Sequence, residues 1–306
     1  VRFLLHLYMA NRKPEYGAAL LKGLEFILKS QYPNGAWPQR FPLQYEFAHD
    51  GLADYTSYCT LNDNSMRDIL FTLIEAWELL GDERYWEAAR RGADFIIAAQ
   101  GGEPQAGWAE QYDMNMLPAW ARTHEPAGLM PRQTVDCIGI LERFYLMTGD
   151  RRYLQPIPKA IKWMRDSANQ DMSDGRYRLA RYYEISTNKP IYQHKTETVN
   201  ELGYGLYVYN DDPSGVSGGW IFTEVNIGAL EKEYARVSAV SPQRAASDYD
   251  RRRNALFATR NGGRENAEQA AAIISSLDAR GAWVEDIRVY DVSTTMKLED
   301  PRKTIR

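Results

Sequence analysis

The sequence predicts an all-α protein in which helix pairs repeat about an axis as a toroid, with the loops at one end gathered around a central mouth. Three observations predict it. The stretch "LLGDERYWEAARRGADFIIAAQ" (79–100) is echoed by "MTGDRRYLQPIPKAIKWMRDSA" (147–168), displaced by 68 residues. Gly81, Asp82, Arg84 and Tyr85 map onto Gly149, Asp150, Arg152 and Tyr153, and Leu73, Trp77, Phe95 and Gly107 onto Leu141, Tyr145, Trp163 and Gly175. Apolar residues fall at i, i+3, i+4 spacing, as in Met66, Ile69, Leu70, Leu73, Ile74, Trp77 and Leu80, which marks one buried helical face. The first copy ends in a loop holding Gly107 and Trp108, and a Gly-x-Trp loop of the same kind closes "LLKGLEFILKSQYPNGAWPQ" (20–39) and "AAIISSLDARGAWVED" (271–286).

Taken in chain order, the opening "VRFLLHLYMA" reads as the inside of a helix, without an initiator Met or a basic leader. Asn62, Asp63 or Asn64 supplies a cap for the helix that follows, because their short polar side chains accept orphan N–H groups at a helix start. Gly81 and Asp82 turn the chain into a second helix, about 86–99. The stretch "AEQYDMNMLPAWARTHEP" (109–126) then places acids, an arginine and a histidine in a loop between helices. The next copy ends near "DGRYRL" at 174. Strand signals are confined to short loop hairpins, and 185–222, rich in Asn, Gly, Tyr and Pro, reads as one long functional or variable loop. The polar stretch 241–269 reads as an exposed surface helix. Nothing in the composition divides the 306 residues, so a single domain spanning 1–306 is expected.

Composition excludes several function classes. The formal net charge of -4 offers no general basic field, which argues against nucleic acid as a partner. No apolar run approaches the roughly 20 residues of a membrane span. Cys59 and Cys137 lie in apolar helical surroundings and read as buried free thiols. His124 and His194 lack metal-spaced partners, so a zinc site is not expected. There is no P-loop, no GxGxxG and no nucleophile elbow. What remains is chemistry by carboxylates, cations and an oxygen-bound metal, and 20 Tyr with 8 Trp suit a carbohydrate groove as well as a core.

Asp113 and Arg181 are separated by the repeat displacement, so stacking about an axis would put an anion and a cation at equivalent radii. Asp63, in "LNDNSM", reads either as a helix cap or as a site carboxylate. Asp113 reads either as a solvated loop acid or as a metal ligand.

Four stretches, "SQYPNGAWPQRFP" (30–42), "YCTLNDNSM" (58–66), "PAWARTHEP" (118–126) and "RYYEISTNKPIY" (181–192), together resemble the motifs of the family 10 pectate lyases. The resemblance implies an (α/α)3 toroid, calcium-assisted β-elimination of polygalacturonate, a secreted or periplasmic monomer, and a chain cut at both ends. It places Asp63 at the calcium and substrate centre, Asp113 on calcium (Ca2+), and Arg181 on the substrate. Asn62, Asn64, Arg122 and Trp120 are expected to bind the substrate, and Trp120, Arg122 and Glu125 to position the loop or line the groove. Where the family carries an arginine base, this chain has "IYQHKTET" and thus Lys195, a point charge that gives up its proton more easily than guanidinium. Asn200 and Glu201 in "VNELGYGLY" stand where cations are expected. Two other readings stay open: an inverting glycoside hydrolase using Asp63 and Asp113, and a non-catalytic uronate-binding protein that has lost the base.

Overall fold

Among the described residues three helix hairpins carry the fold, α1 (Arg2–Asn11) with α2 (Pro14–Ser30), α3 (Ser65–Leu80) with α4 (Glu83–Ala98), and α5 (Pro131–Thr148) with α6 (Ile157–Asp166); α7 (Ile227–Ser238) then packs against α6 and α8 (Pro242–Thr259) against α5. The structure is a computed structural model that describes residues 1–43, 55–122, 124–199, 205–214 and 221–259. The expected helical copy at 271–286 lies outside the described residues.

The repeat seen in the sequence is a repeat of capping chemistry. Gly81 and Gly149 close α3 and α5 with φ of 75° and 70°, donating N–H to the carbonyls of Trp77 and Tyr145 at 2.9 and 2.7 Å. Asp82 and Asp150 then start the next helical turn, their Oδ1 atoms accepting from the N–H of Arg84 and Arg152 at 3.0 and 2.9 Å. Those arginines bond back to the same aspartates and reach a carboxylate on the preceding hairpin, Glu25 at 2.6 Å and Asp94 at 3.5 Å.

A second repeated device stitches neighbouring hairpins together. Gln31, just past α2, donates to the carbonyls of Gly35 and Ala88; Gln100, just past α4, donates to those of Ala106 and Pro156, all within 2.8–2.9 Å. The buried indoles of Trp37 and Trp108 donate to Ile27 O and Ile96 O at 2.8 and 2.7 Å. Each thereby satisfies a carbonyl that the last turn of a helix leaves unpaired.

The all-α expectation is wrong. Of the described residues 53% are helical and 16% lie in strands, which form three antiparallel sheets. β1 (Cys59–Thr60) pairs with β2 (Gln111–Tyr112). A four-stranded sheet runs β3 (Gly128–Leu129), β6 (Tyr182–Glu184), β7 (Pro190–Val199), β8 (Gly205–Asn210), and a three-stranded one β4 (Gln170–Asp171), β5 (Arg176–Ala180), β9 (Phe222–Asn226). The segment expected as one long loop therefore holds a β-hairpin. Its physical basis is period-two alternation: Gln193 pairs with Tyr209 and Lys195 with Tyr207, while His194 turns to the other face and meets Asn210 at 2.8 Å.

The core gathers between the hairpins, with Trp37, Trp108, Trp163, Tyr85 and Phe144 almost wholly buried. Cys59 and Cys137 are buried and free, as expected, and α8 covers α5 as the anticipated surface helix. No described helix is long and apolar enough to cross a membrane.

The two turn glycines yield a differential prediction. Gly81→Ala pays only for the left-handed backbone, about 1–2 kcal/mol, because no atom lies within 4 Å of the added Cβ. Gly149→Ala adds a clash, since its Cβ would stand 2.3 Å from the carbonyl oxygen of Pro242. Urea unfolding is expected to show a clearly larger loss for Gly149→Ala; equal losses would contradict the packing of α8 on this turn.

Candidate active site

The turn before α3 adopts a backbone that its residues ordinarily avoid. Asp63 and the adjacent Asn64 both lie in the left-handed region, at φ of 52° and 61°. Such residues cost on the order of 1–2 kcal/mol each and persist only when their surroundings over-determine them. The anchor is Glu125, whose carboxylate is buried. It accepts from Asn62 Nδ2 at 2.7 Å, from the Arg122 backbone N–H at 3.2 Å, and from the Arg122 guanidinium. Asn62 Oδ1 in turn accepts from the N–H of Asp63 at 2.6 Å.

Burial opposes charge on Glu125, but the Arg122 hydrogen bond and charge outweigh it and hold its carboxyl below the usual range. The Asp63 carboxylate is left 61% exposed, with the Arg122 guanidinium 3.4 Å away. An acid with free lone pairs beside a fixed cation is thus presented to solvent.

A second buried acid, Glu110, joins this turn to the opposite wall. Its carbonyl accepts from the N–H groups of Leu61 and Asn62 at 2.8 and 2.9 Å, extending the β1–β2 pairing up to Asp63. Its carboxylate receives the Tyr182 hydroxyl at 2.5 Å, and the Arg181 guanidinium lies over the Tyr182 ring at 5.0 Å. Burial raises the Glu110 carboxyl to about 7, against the Tyr182 hydrogen bond, with Glu125 adding to the rise.

Glu110 was missed in the sequence, and a signal for it exists. Ala109 donates its N–H to Tyr112 Oη at 2.7 Å, and Ala180 donates to Tyr183 Oη at 3.0 Å, the same local device 71 residues later. Trp37 and Trp108 show the same displacement. The connection from Gln31 to Trp37 spans six positions and that from Gln100 to Trp108 eight, so the helical displacement of 68 does not carry into the loops. The repeat counterpart of Arg181 is therefore Glu110, and Asp113 is not.

Asp113 lies at the end of the β1–β2 ladder away from Asp63. Cys59 pairs with Tyr112 and Thr60 with Gln111, so the antiparallel register runs Asp63 toward Glu110 and Asp113 toward Cys59. Its Oδ1 accepts from the N–H groups of Asn115 and Leu117 at 2.8 and 2.9 Å, which closes a tight loop.

Lys195 stands on β7 directly across from Tyr207, whose ring is 6.3 Å from that of His124. Two residues earlier, Gln193 donates to the His124 carbonyl. The face of the β7–β8 hairpin that carries Lys195 is therefore turned toward the loop holding Arg122. Trp120 packs edge-on against Tyr209 at 4.9 Å. Burial lowers the pKa of His124, which favours the neutral imidazole. Asn200 and Glu201 lie outside the described residues.

Glu110 has a thermodynamic consequence. A carboxyl raised from 4.5 to about 7 binds its proton more tightly when folded, so stability is highest at low pH and declines as pH rises between those values. Glu142, which burial and Glu233 also raise to about 7, acts in the same direction. Denaturant melts are expected to show stability falling by up to about 1.4 kcal/mol per pH unit for each group. Glu110→Gln should flatten the profile and leave the slope from Glu142; an unchanged profile would contradict the burial of Glu110 as an acid.

Among curated proteins, none matches the sequence. Solved structures share the fold. A mutant of a family 10 polysaccharide lyase from Cellvibrio cellulosa, in complex with trigalaturonic acid, superposes with a TM-score of 0.57 at 19% identity, covering 76% of this chain and 77% of that one. A family 10 polysaccharide lyase from the same organism gives 0.51 at 23%, covering 62% and 64%. The pectic acid lyase family matches residues 1–203, the segment that holds Asp63, Glu110, Arg122, Glu125, Arg181 and Lys195. The chain belongs to the pectic acid lyase family.

Proposed function

We propose that the chain is a pectate lyase that cleaves α-1,4-linked polygalacturonate by calcium-assisted β-elimination, leaving an unsaturated oligogalacturonide end. What supports this reading is the exposed Asp63 carboxylate beside Arg122, with Arg181 over the ring of Tyr182 and Lys195 on the β7–β8 face turned toward the Arg122 loop. In β-elimination a base removes the proton on the carbon next to the uronate carboxylate, a double bond forms to the neighbouring ring carbon, and the glycosidic oxygen leaves with its bonding electrons. Negative charge accumulates on the uronate carboxylate, and fixed cations are what stabilise it. Arg122, already oriented by Glu125, and Arg181, stacked on Tyr182, supply such charge without reorganising.

Lys195 is assigned the base. It sits on the hairpin face turned toward the Arg122 loop, and its neutral amine would accept the proton. Trp120, Asn62 and Asn64 flank the groove.

Calcium fits this site as an ion shared with the substrate. Among the described residues no three of His, Cys, Asp and Glu converge on one point, so a resident all-protein cage does not fit. Asp63 offers a carboxylate with spare oxygens beside Arg122, and uronate carboxylates and water would complete the shell. When bound, the ion supplies Lewis-acid polarisation of the uronate carboxylate. Asp113, at the far end of the ladder, does not contribute to that ion.

Hydrolysis by an Asp63–Asp113 pair has no support in this geometry, and the nearer acids Glu110 and Glu125 are buried and committed. A polymeric substrate cannot cross a membrane, so the enzyme would work secreted or in the periplasm; it is expected to act as a monomer.

With polygalacturonate as substrate, an ultraviolet-absorbing unsaturated product is expected, and a chelator should abolish it. Lys195→Ala is expected to lower kcat by at least about a hundredfold, the lower range for a positioned proton-transfer group. Hydrolytic products would overturn the reading, chelation-insensitive turnover the calcium role, and full activity in Lys195→Ala the base assignment. Binding without turnover would favour the non-catalytic alternative.

A further inference from the structure

A cleft of about 420 Å3 lies beside the Asp63–Arg122 centre, between the Trp120 loop and the β6–β7–β8 sheet. Its volume falls within the range of small-ligand sites, about 300–1,000 Å3. Trp120 and Tyr209, in edge-to-face contact, form its aromatic side, and Ile191 extends that apolar surface. Its polar side carries Glu184, Lys189 and Asp211.

The charge of this cleft differs from that of the centre. Lys189 Nζ is paired with Asp211 Oδ2 at 3.3 Å, and the Glu184 carboxylate accepts the Thr187 hydroxyl. Two acids against one lysine leave the rim net negative, whereas the centre sets the Arg122 and Arg181 guanidinium groups beside its acids. A uronate entering the cleft would meet Glu184 without a compensating free cation. A neutral sugar would meet no such penalty: its hydroxyls donate to the two carboxylates, and its C–H face packs on an aromatic ring.

We propose that this cleft is a subsite for a neutral sugar unit, so that the preferred polymer carries neutral sugars next to its uronates, as a branch or an interruption. The proposal rests on the polygalacturonate reading of the adjacent centre. Trp120, two residues from Arg122, and Tyr209, which lies within electrostatic reach of Arg181 and Glu125, border both regions, so one chain can occupy them together.

The test uses the full chain and two probes, neutral galactotriose and trigalacturonate, with binding followed by calorimetry. Galactotriose is expected to bind the wild type, and Glu184→Gln combined with Asp211→Asn should weaken it at least tenfold. The same double variant should keep elimination of polygalacturonate within twofold, which also shows that it is folded. Trp120→Ala should likewise weaken galactotriose binding. Failure of galactotriose to bind, or binding that ignores all three substitutions, would overturn the subsite. Absence of elimination in a wild type whose galactotriose binding responds to them would instead overturn the polygalacturonate reading and support the cleft.

Discussion

The buried carboxylate of Glu125 is the interaction on which the site depends. It is almost wholly removed from water and is compensated by Asn62, by the Arg122 backbone and by the Arg122 guanidinium. Removing one partner from such an arrangement leaves a buried charge or donor unmet, so the loss of any one of the three residues is costly. Through Asn62 they hold Asp63 in a left-handed conformation that an exposed aspartate would not otherwise keep. The exposed acid and the neighbouring cation are thus held by the buried Glu125 carboxylate rather than by the turn itself.

Around this anchor the repeats supply the walls. Equivalent positions after two hairpins carry Glu110 and Arg181, of opposite charge, and Tyr182 lies between them as hydrogen-bond donor to one and aromatic platform for the other. Scaffold positions such as Gly81 and Gly149 keep the same chemistry in both copies because they close helices. Loop positions such as Glu110 and Arg181 differ in charge between the copies. Repetition fixes where side chains stand, and divergence decides what they do.

Much of the helical scaffold was legible in the sequence because its determinants are local. Gly81-Asp82 and Gly149-Asp150 announce a C-cap followed by an N-cap within two residues, and the apolar spacing of α3 needs no distant partner. The sheets were not legible: β3 meets β6 across more than fifty residues and β5 meets β9 across more than forty, so pairing is decided by tertiary contact. The stretch after 185 looked like loop because Asn, Gly and Pro masked the alternation of Gln193, Lys195, Tyr207 and Tyr209. At the site, Asp63, Arg122 and Arg181 were readable as candidates. Asp113 was paired with Arg181 by carrying the helical displacement into loops that lengthen from copy to copy, and Glu110 was overlooked for the same reason.

The central claim is that Glu125 acts through the Asp63 turn, and a double-mutant cycle in trigalacturonate affinity tests it most directly. Glu125→Gln and Asp63→Asn should each weaken binding, and their combination should lose much less than the sum, with a coupling of roughly 1–3 kcal/mol. Additive losses would show that Glu125 and Asp63 act independently and would contradict the account.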